Sequence, residues 1–133
     1  MSEASDYVEN QILNCYLNQT NITAPTAIYV GLHTADPTDA GTGAEVSGNG
    51  YARVAITDKF GTASGTGGSV SSNADITGFT ASGGNWGTVS HIGIYDASTS
   101  GNLLFHTALD SSATVNDGDS FQISSGNLTV TVA

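Results

Sequence analysis

In the stretch PTAIYVGLHT, residues 25–34, the apolar residues Ile28, Val30 and Leu32 recur at every second position. That is the side-chain period of a strand with one face in a core. Upstream the spacing is helical: Val8, Ile12 and then Cys15 or Tyr16 form a stripe that Leu13 and Leu17 widen, predicting a helix over 6–18. Asp6 is its expected cap, with Glu9 three residues later completing a capping-box-like pair. So short a helix is marginal alone and has to lay its apolar face on something, either the core or a neighbouring molecule. Pro25 ends any continuation.

Downstream the period of two persists. The segments 51–56 (YARVAI), 75–79 (DITGF), 86–97 (WGTVSHIGIYDA), 103–109 (LLFHTAL), 115–123 (VNDGDSFQI) and 127–132 (NLTVTV) read as strands or strand-bearing blocks with turn signals between them. No helix stands between strands, as a βαβ unit would require. The expectation is a mainly β fold: a compact antiparallel β-sandwich or barrel-like domain with one N-terminal α-helix. It would fill 1–133 as a single domain, helix at 6–18 and sandwich from 27 onward.

Glycine is abundant between these strands. The loop DAGTGAEVSGNG, 39–50, has the look of a phosphate cradle, but neither a helix start nor a lysine follows it. Its glycines are read as serving turns, bulges and close strand approaches. Residues 61–72, GTASGTGGSVSS, are read as a long surface loop or a bulged edge strand.

The chain has 133 residues and a mass of 13.4 kDa, for which a folded surface of roughly 6,500 Å² is expected. Charged residues make up 11% of it, against about 25% in ordinary soluble domains. Twelve acids against two bases give a net charge of -10. No surface of such a chain can neutralise a run of phosphates, so neither nucleic acid nor an anionic membrane is an expected partner. Cys15 is the only cysteine; it precludes an intrachain disulfide and is read as a buried, inert thiol. The N-terminus does not read as a secretory signal, and no stretch approaches membrane-spanning length.

Catalytic motifs are missing. His33, His91 and His106 are scattered through strand patterns, and neither HExxH nor a Cys/His cluster with metal-ligand spacing occurs. Asp36 is close enough in sequence to orient His33. No GxSxG elbow joins a strand to a helix, and Glu45 is the one glutamate of the β-rich part, which leaves no facing pair for glycoside chemistry. The turn Asn116–Asp119 offers three oxygens but not the calcium-loop spacing. The expectation is therefore no enzyme, no cofactor and no metal. Tyr29, Tyr95, Phe79 and Phe105 alternate with aliphatic residues as core aromatics do. Trp86, after a glycine-rich turn, is the expected exposed exception.

The run IYVGLHTADP at 28–37, then EVSG at 45–48 and YAR at 51–53, resembles a family of small virion proteins of tailed bacteriophages. WGTVSHIGIYD at 86–96, GNLL at 101–104 and LTV at 128–130 are similar to its second characteristic region. The resemblance implies a non-enzymatic structural protein of the virion, either a capsid decoration (cement) protein or a tail or tail-fibre component. Decoration is the expected role, on the capsid exterior, with the major capsid protein as partner, self-association on the capsid lattice and assembly in the host cytoplasm. Contacts are expected through Asp36, Asp39, Glu45 and Trp86, the last as an exposed aromatic.

Overall fold

The computed structural model describes residues 2–64 and 67–132. The fold is mainly β, with several antiparallel sheets and one N-terminal helix. Its elements are β1 (Glu3–Ala4), α1 (Asp6–Leu17), β2 (Tyr29–His33), β3 (Val54–Ala55), β4 (Ser69–Ser71), β5 (Ile76–Thr80), β6 (Gly87–Tyr95), β7 (Leu103–Val115), β8 (Ser120–Ile123) and β9 (Thr129–Thr131).

Five strands form the principal sheet in the order β1-β7-β6-β2-β3, and two small sheets pair β4 with β9 and β5 with β8. The centre is the β2–β6 pair, in register from Tyr29 opposite Tyr95 to His33 opposite His91. Strict alternation gives this pair two unlike faces. Val30 with Ile94 and Leu32 with Ile92 face the core, where they meet Ile56, Ile76, Phe79, Val89 and Leu104. Tyr29, Gly31 and His33 face the other way, opposite Tyr95, Gly93 and His91.

Two irregularities shape the sheet. Between Val89 and His91 the partner strand advances from Ala113 to Ala108, and between Ile94 and Tyr95 it skips Leu104. Leu103 and Leu104 are both buried, Leu103 against Gly41 and Gly93 and Leu104 in the core on the opposite side of the strand. In β5 the register shifts between Ile76 and Phe79, so both bury their side chains almost completely; Gly78 supplies the turn there at φ +111°.

The segment 51–56 is less regular than its alternation suggests. Only Val54–Ala55 pair with β2. The Leu32 N–H is taken up instead by the hydroxyl of Tyr51, at 2.9 Å. The segment 61–72 is part loop and part strand, with β4 in it and an isolated bridge from Phe60 to Ser72; its residues 65 and 66 lie outside the described residues.

The helix departs most from expectation. Ser5, not Asp6, is its cap: the Ser5 hydroxyl accepts from the Val8 N–H and donates to the Leu103 carbonyl. Ser5 is buried at the end of β1, whereas Asp6 is exposed. Val8, Ile12 and Cys15 lie half-buried toward the body, but no residue of α1 is buried, Cys15 included. Leu13, Tyr16 and Leu17 are left 54%, 77% and 75% exposed, Leu13 at the edge of a groove it shares with Ala4 and Thr131. The total accessible surface is 7297 Å², above the roughly 6,500 Å² expected for this mass.

Candidate functional site

Three places on the molecule concentrate chemistry: a charged cluster on the outer face of the principal sheet, a histidine–carboxylate cluster beside β1, and the outer side of α1.

The first is built around Glu45. Arg53 grips its carboxylate with two parallel bonds of 2.8 Å, from Nε to Oε1 and from Nη2 to Oε2, and the Tyr51 hydroxyl donates to Oε1 at 2.7 Å. The remaining donor of Arg53, Nη1, serves the carbonyls of Ala97 and Ser100. The guanidinium also stacks on Tyr95, its Cζ 3.5 Å from the ring centroid. Burial works to raise the Glu45 pKa, but the bonds from Arg53 and Tyr51 outweigh it and hold the carboxyl below its ordinary value. Burial, with help from the Glu45 charge, pushes the Tyr95 phenol up to about 12.

Beneath this ring lies His33, fully buried, with Nε2 2.9 Å from the Tyr95 hydroxyl. Its Nδ1 is the one buried side-chain polar atom among the described residues without a hydrogen-bond partner. Desolvation lowers the His33 pKa, the neighbouring Glu45 opposing and Arg53 assisting. The Arg53 donors and the Tyr51 hydroxyl are thus committed to internal partners. Such an arrangement rigidifies the loops 44–53 and 96–102, and it presents no nucleophile or base to a reactant.

The second cluster surrounds His106 of β7. Its Nε2 is 2.8 Å from Asp39 Oδ1 and 3.9 Å from Glu3 Oε2, and its Nδ1 is 3.6 Å from Asp36 Oδ1. The imidazole is buried while the three carboxylates reach solvent.

The sequence-derived residues therefore divide. Asp36 and Asp39 come together, around His106 and not His33. Glu45 faces inward to Arg53. Trp86 is not the exposed exception: it is 7% exposed, its Nε1–H donates to the Asn49 carbonyl, and its ring meets Tyr51 edge-on at 5.4 Å. The loop 48–50 folds over it, an arrangement that local composition does not announce. Asp117 and Asp119 accept from the backbone N–H groups of Gly83 and Asn116, the ordinary work of turn aspartates. Sequence reasoning missed His106 with Glu3, because residues 3, 36, 39 and 106 share no local pattern.

The third place, α1, carries Leu13, Tyr16 and Leu17 outward, with Tyr7 and Ile22 also exposed. A monomer leaves few such residues together without a use for them.

Residues 3–131 match the family described as podophage GP4 fiber I protein gp80. The chain belongs to that family. No curated protein matches it. It is thus a structural component of a phage virion, of the fibre kind, and the family is consistent with a non-enzymatic role. The family also corrects the partner expectation: a match to a fibre protein points to partners in the tail rather than to the major capsid protein, and the expectation of the major capsid protein and its lattice is withdrawn.

Proposed function

We propose that this chain is a tail-fibre subunit that joins its neighbours in the tail through the outer side of α1. The fibre family supports the place in the tail, and the exposure of Leu13, Tyr16 and Leu17 on a helix with no buried residue carries the assignment of the surface. Charge supports it too. From Asn10 to Ala35 the sequence contains no Asp, Glu, Lys or Arg, so beyond the first turn of α1, which carries Asp6 and Glu9, this side of a chain of net charge -10 meets another subunit with little like-charge repulsion.

The energetics are adequate. Full burial of a large apolar side chain contributes about 1.5–3 kcal/mol, and Tyr16, flanked by the two leucines, is the residue type that anchors interfaces. The Glu45–Arg53 cluster and the buried Trp86 then act behind the surface, stiffening loops. Asp36 and Asp39 remain proposed contacts at its margin.

Phage assembled with a Leu13→Ser/Leu17→Ser chain tests this reading. The protein should accumulate folded but be missing from the particles; incorporation at the wild-type level refutes the assigned surface.

A further inference from the structure

We propose that Glu3, Asp39 and His106 bind a divalent transition-metal ion of the Zn²⁺ class. The inference is independent of the fibre reading. It rests on three side chains from three separate segments: β1, the loop after β2, and β7. One ligand atom from each lies within 4.8 Å of the other two. Zinc bonds to nitrogen and oxygen are about 2.0–2.2 Å, so two ligand atoms of a tetrahedral shell stand roughly 3.3–3.6 Å apart. The Asp39–His106 and Glu3–His106 separations, 2.8 and 3.9 Å, bracket that spacing, so Asp39 has to draw back slightly from the ring. Glu3, whose side chain is 68% exposed, closes the remainder by a small rotation.

Exposed carboxylates alone do not make a metal site; the imidazole distinguishes this one. His106 is 4% exposed in its side chain, so packing fixes its ring with the Nε2 edge toward Asp39 and Glu3. Its Nδ1 edge faces Asp36 at 3.6 Å. Without an ion, Nε2 holds the proton it shares with Asp39 at 2.8 Å; an ion would take that place and the proton would pass to Nδ1, toward the Asp36 carboxylate behind the imidazole, the outer-shell arrangement of histidine metal centres. On binding, the Asp39–His106 hydrogen bond is exchanged for one metal bond to each residue.

Charge points the same way. Three carboxylates converge here, and one imidazole offsets at most one of their charges. The chain's two basic side chains are engaged elsewhere, Arg53 with Glu45 and Lys59 beside Asp58. One imidazole nitrogen with two carboxylate oxygens suits Zn²⁺ and its neighbours better than Ca²⁺ or Mg²⁺, which take oxygen shells. Three protein ligands leave a coordination position for water or for a side chain of a neighbouring subunit. The ion would clamp the β1 arm, immediately before α1, onto the sheet.

Titration calorimetry of the metal-free full chain with Zn²⁺ is expected to show one ion per chain and a melting temperature that rises with Zn²⁺ concentration, whereas Mg²⁺ should do neither. Co²⁺ should give visible absorption bands of a low-coordinate nitrogen–oxygen site. Glu3→Gln and Asp39→Asn alter exposed side chains and should keep the fold, yet each should weaken Zn²⁺ binding by at least about tenfold. His91→Asn should leave it unchanged. Absence of saturable binding, affinity unchanged in both carboxylate variants, or loss in His91→Asn would overturn the proposal.

Discussion

Gly31 lies directly opposite Gly93 in the β2–β6 pair, and the ring of Tyr95 occupies the space that side chains at both positions would take. A Cβ on Gly93 would stand 2.7 Å from Leu103 Cδ1 and 2.9 Å from Tyr95 Cε2; on Gly31 it would meet Glu45 Oε1 at 2.9 Å. The glycine pair is thus the shelf on which Tyr95, Arg53 and Glu45 assemble. Gly93→Ala is expected to cost about 1–3 kcal/mol by overpacking, read as a lower denaturation midpoint in urea. Gly61→Ala, whose Cβ would approach only Asn73 at 3.8 Å, serves as control and should stay within about 0.5 kcal/mol of wild type.

Acid should destabilise the protein in two stages. Burial holds the His33 imidazole below its ordinary 6.5, so as pH falls through 6.5 the unfolded chain takes up this proton first and stability declines. Glu45 is likewise held below its ordinary 4.5; its contribution is intact above that value and lost as pH falls toward the folded pKa. Urea midpoints from pH 7.5 to 3.5 should show both stages. His33→Gln should remove the upper one. Glu45→Gln should remove the lower one and cost about 1.5–3 kcal/mol at neutral pH, the range for hydrogen bonds to a charged group. A midpoint flat across this range contradicts the account.

Ser5 should matter more to α1 than Asp6 does. Its hydroxyl satisfies both the Val8 N–H and the buried Leu103 carbonyl, so Ser5→Ala should cost about 1–2 kcal/mol and speed hydrogen exchange across the helix. Asp6→Ala should do neither to a comparable degree. Equal effects would return the cap to Asp6.

How much of this was legible in the sequence varies with the range of the interaction that sets each feature. The helix and the alternation of Ile28, Val30 and Leu32 are local patterns, and the structure bears both out. The cap shifted to Ser5 because the Leu103 carbonyl, 98 residues away, fixes that hydroxyl. Leu13 and Leu17 read as part of a packing stripe, yet the body of the protein covers only the Val8–Ile12–Cys15 side. Trp86 was misread because its cover comes from Asn49, 37 residues earlier. The His106 cluster draws on residues 3, 36, 39 and 106, which only the pairing of β1 with β7 and the fold of the loop after β2 bring together.

The place of the chain in the particle is the central claim, and counting copies in fractionated virions tests it most directly. Purified particles are split into tail-free heads and isolated tails, and the chain is quantified in each by mass spectrometry against the major head and tail proteins. The fibre assignment predicts a small number of copies per particle, recovered with the tails and missing from stripped heads. Hundreds of copies retained on tail-free heads would contradict it.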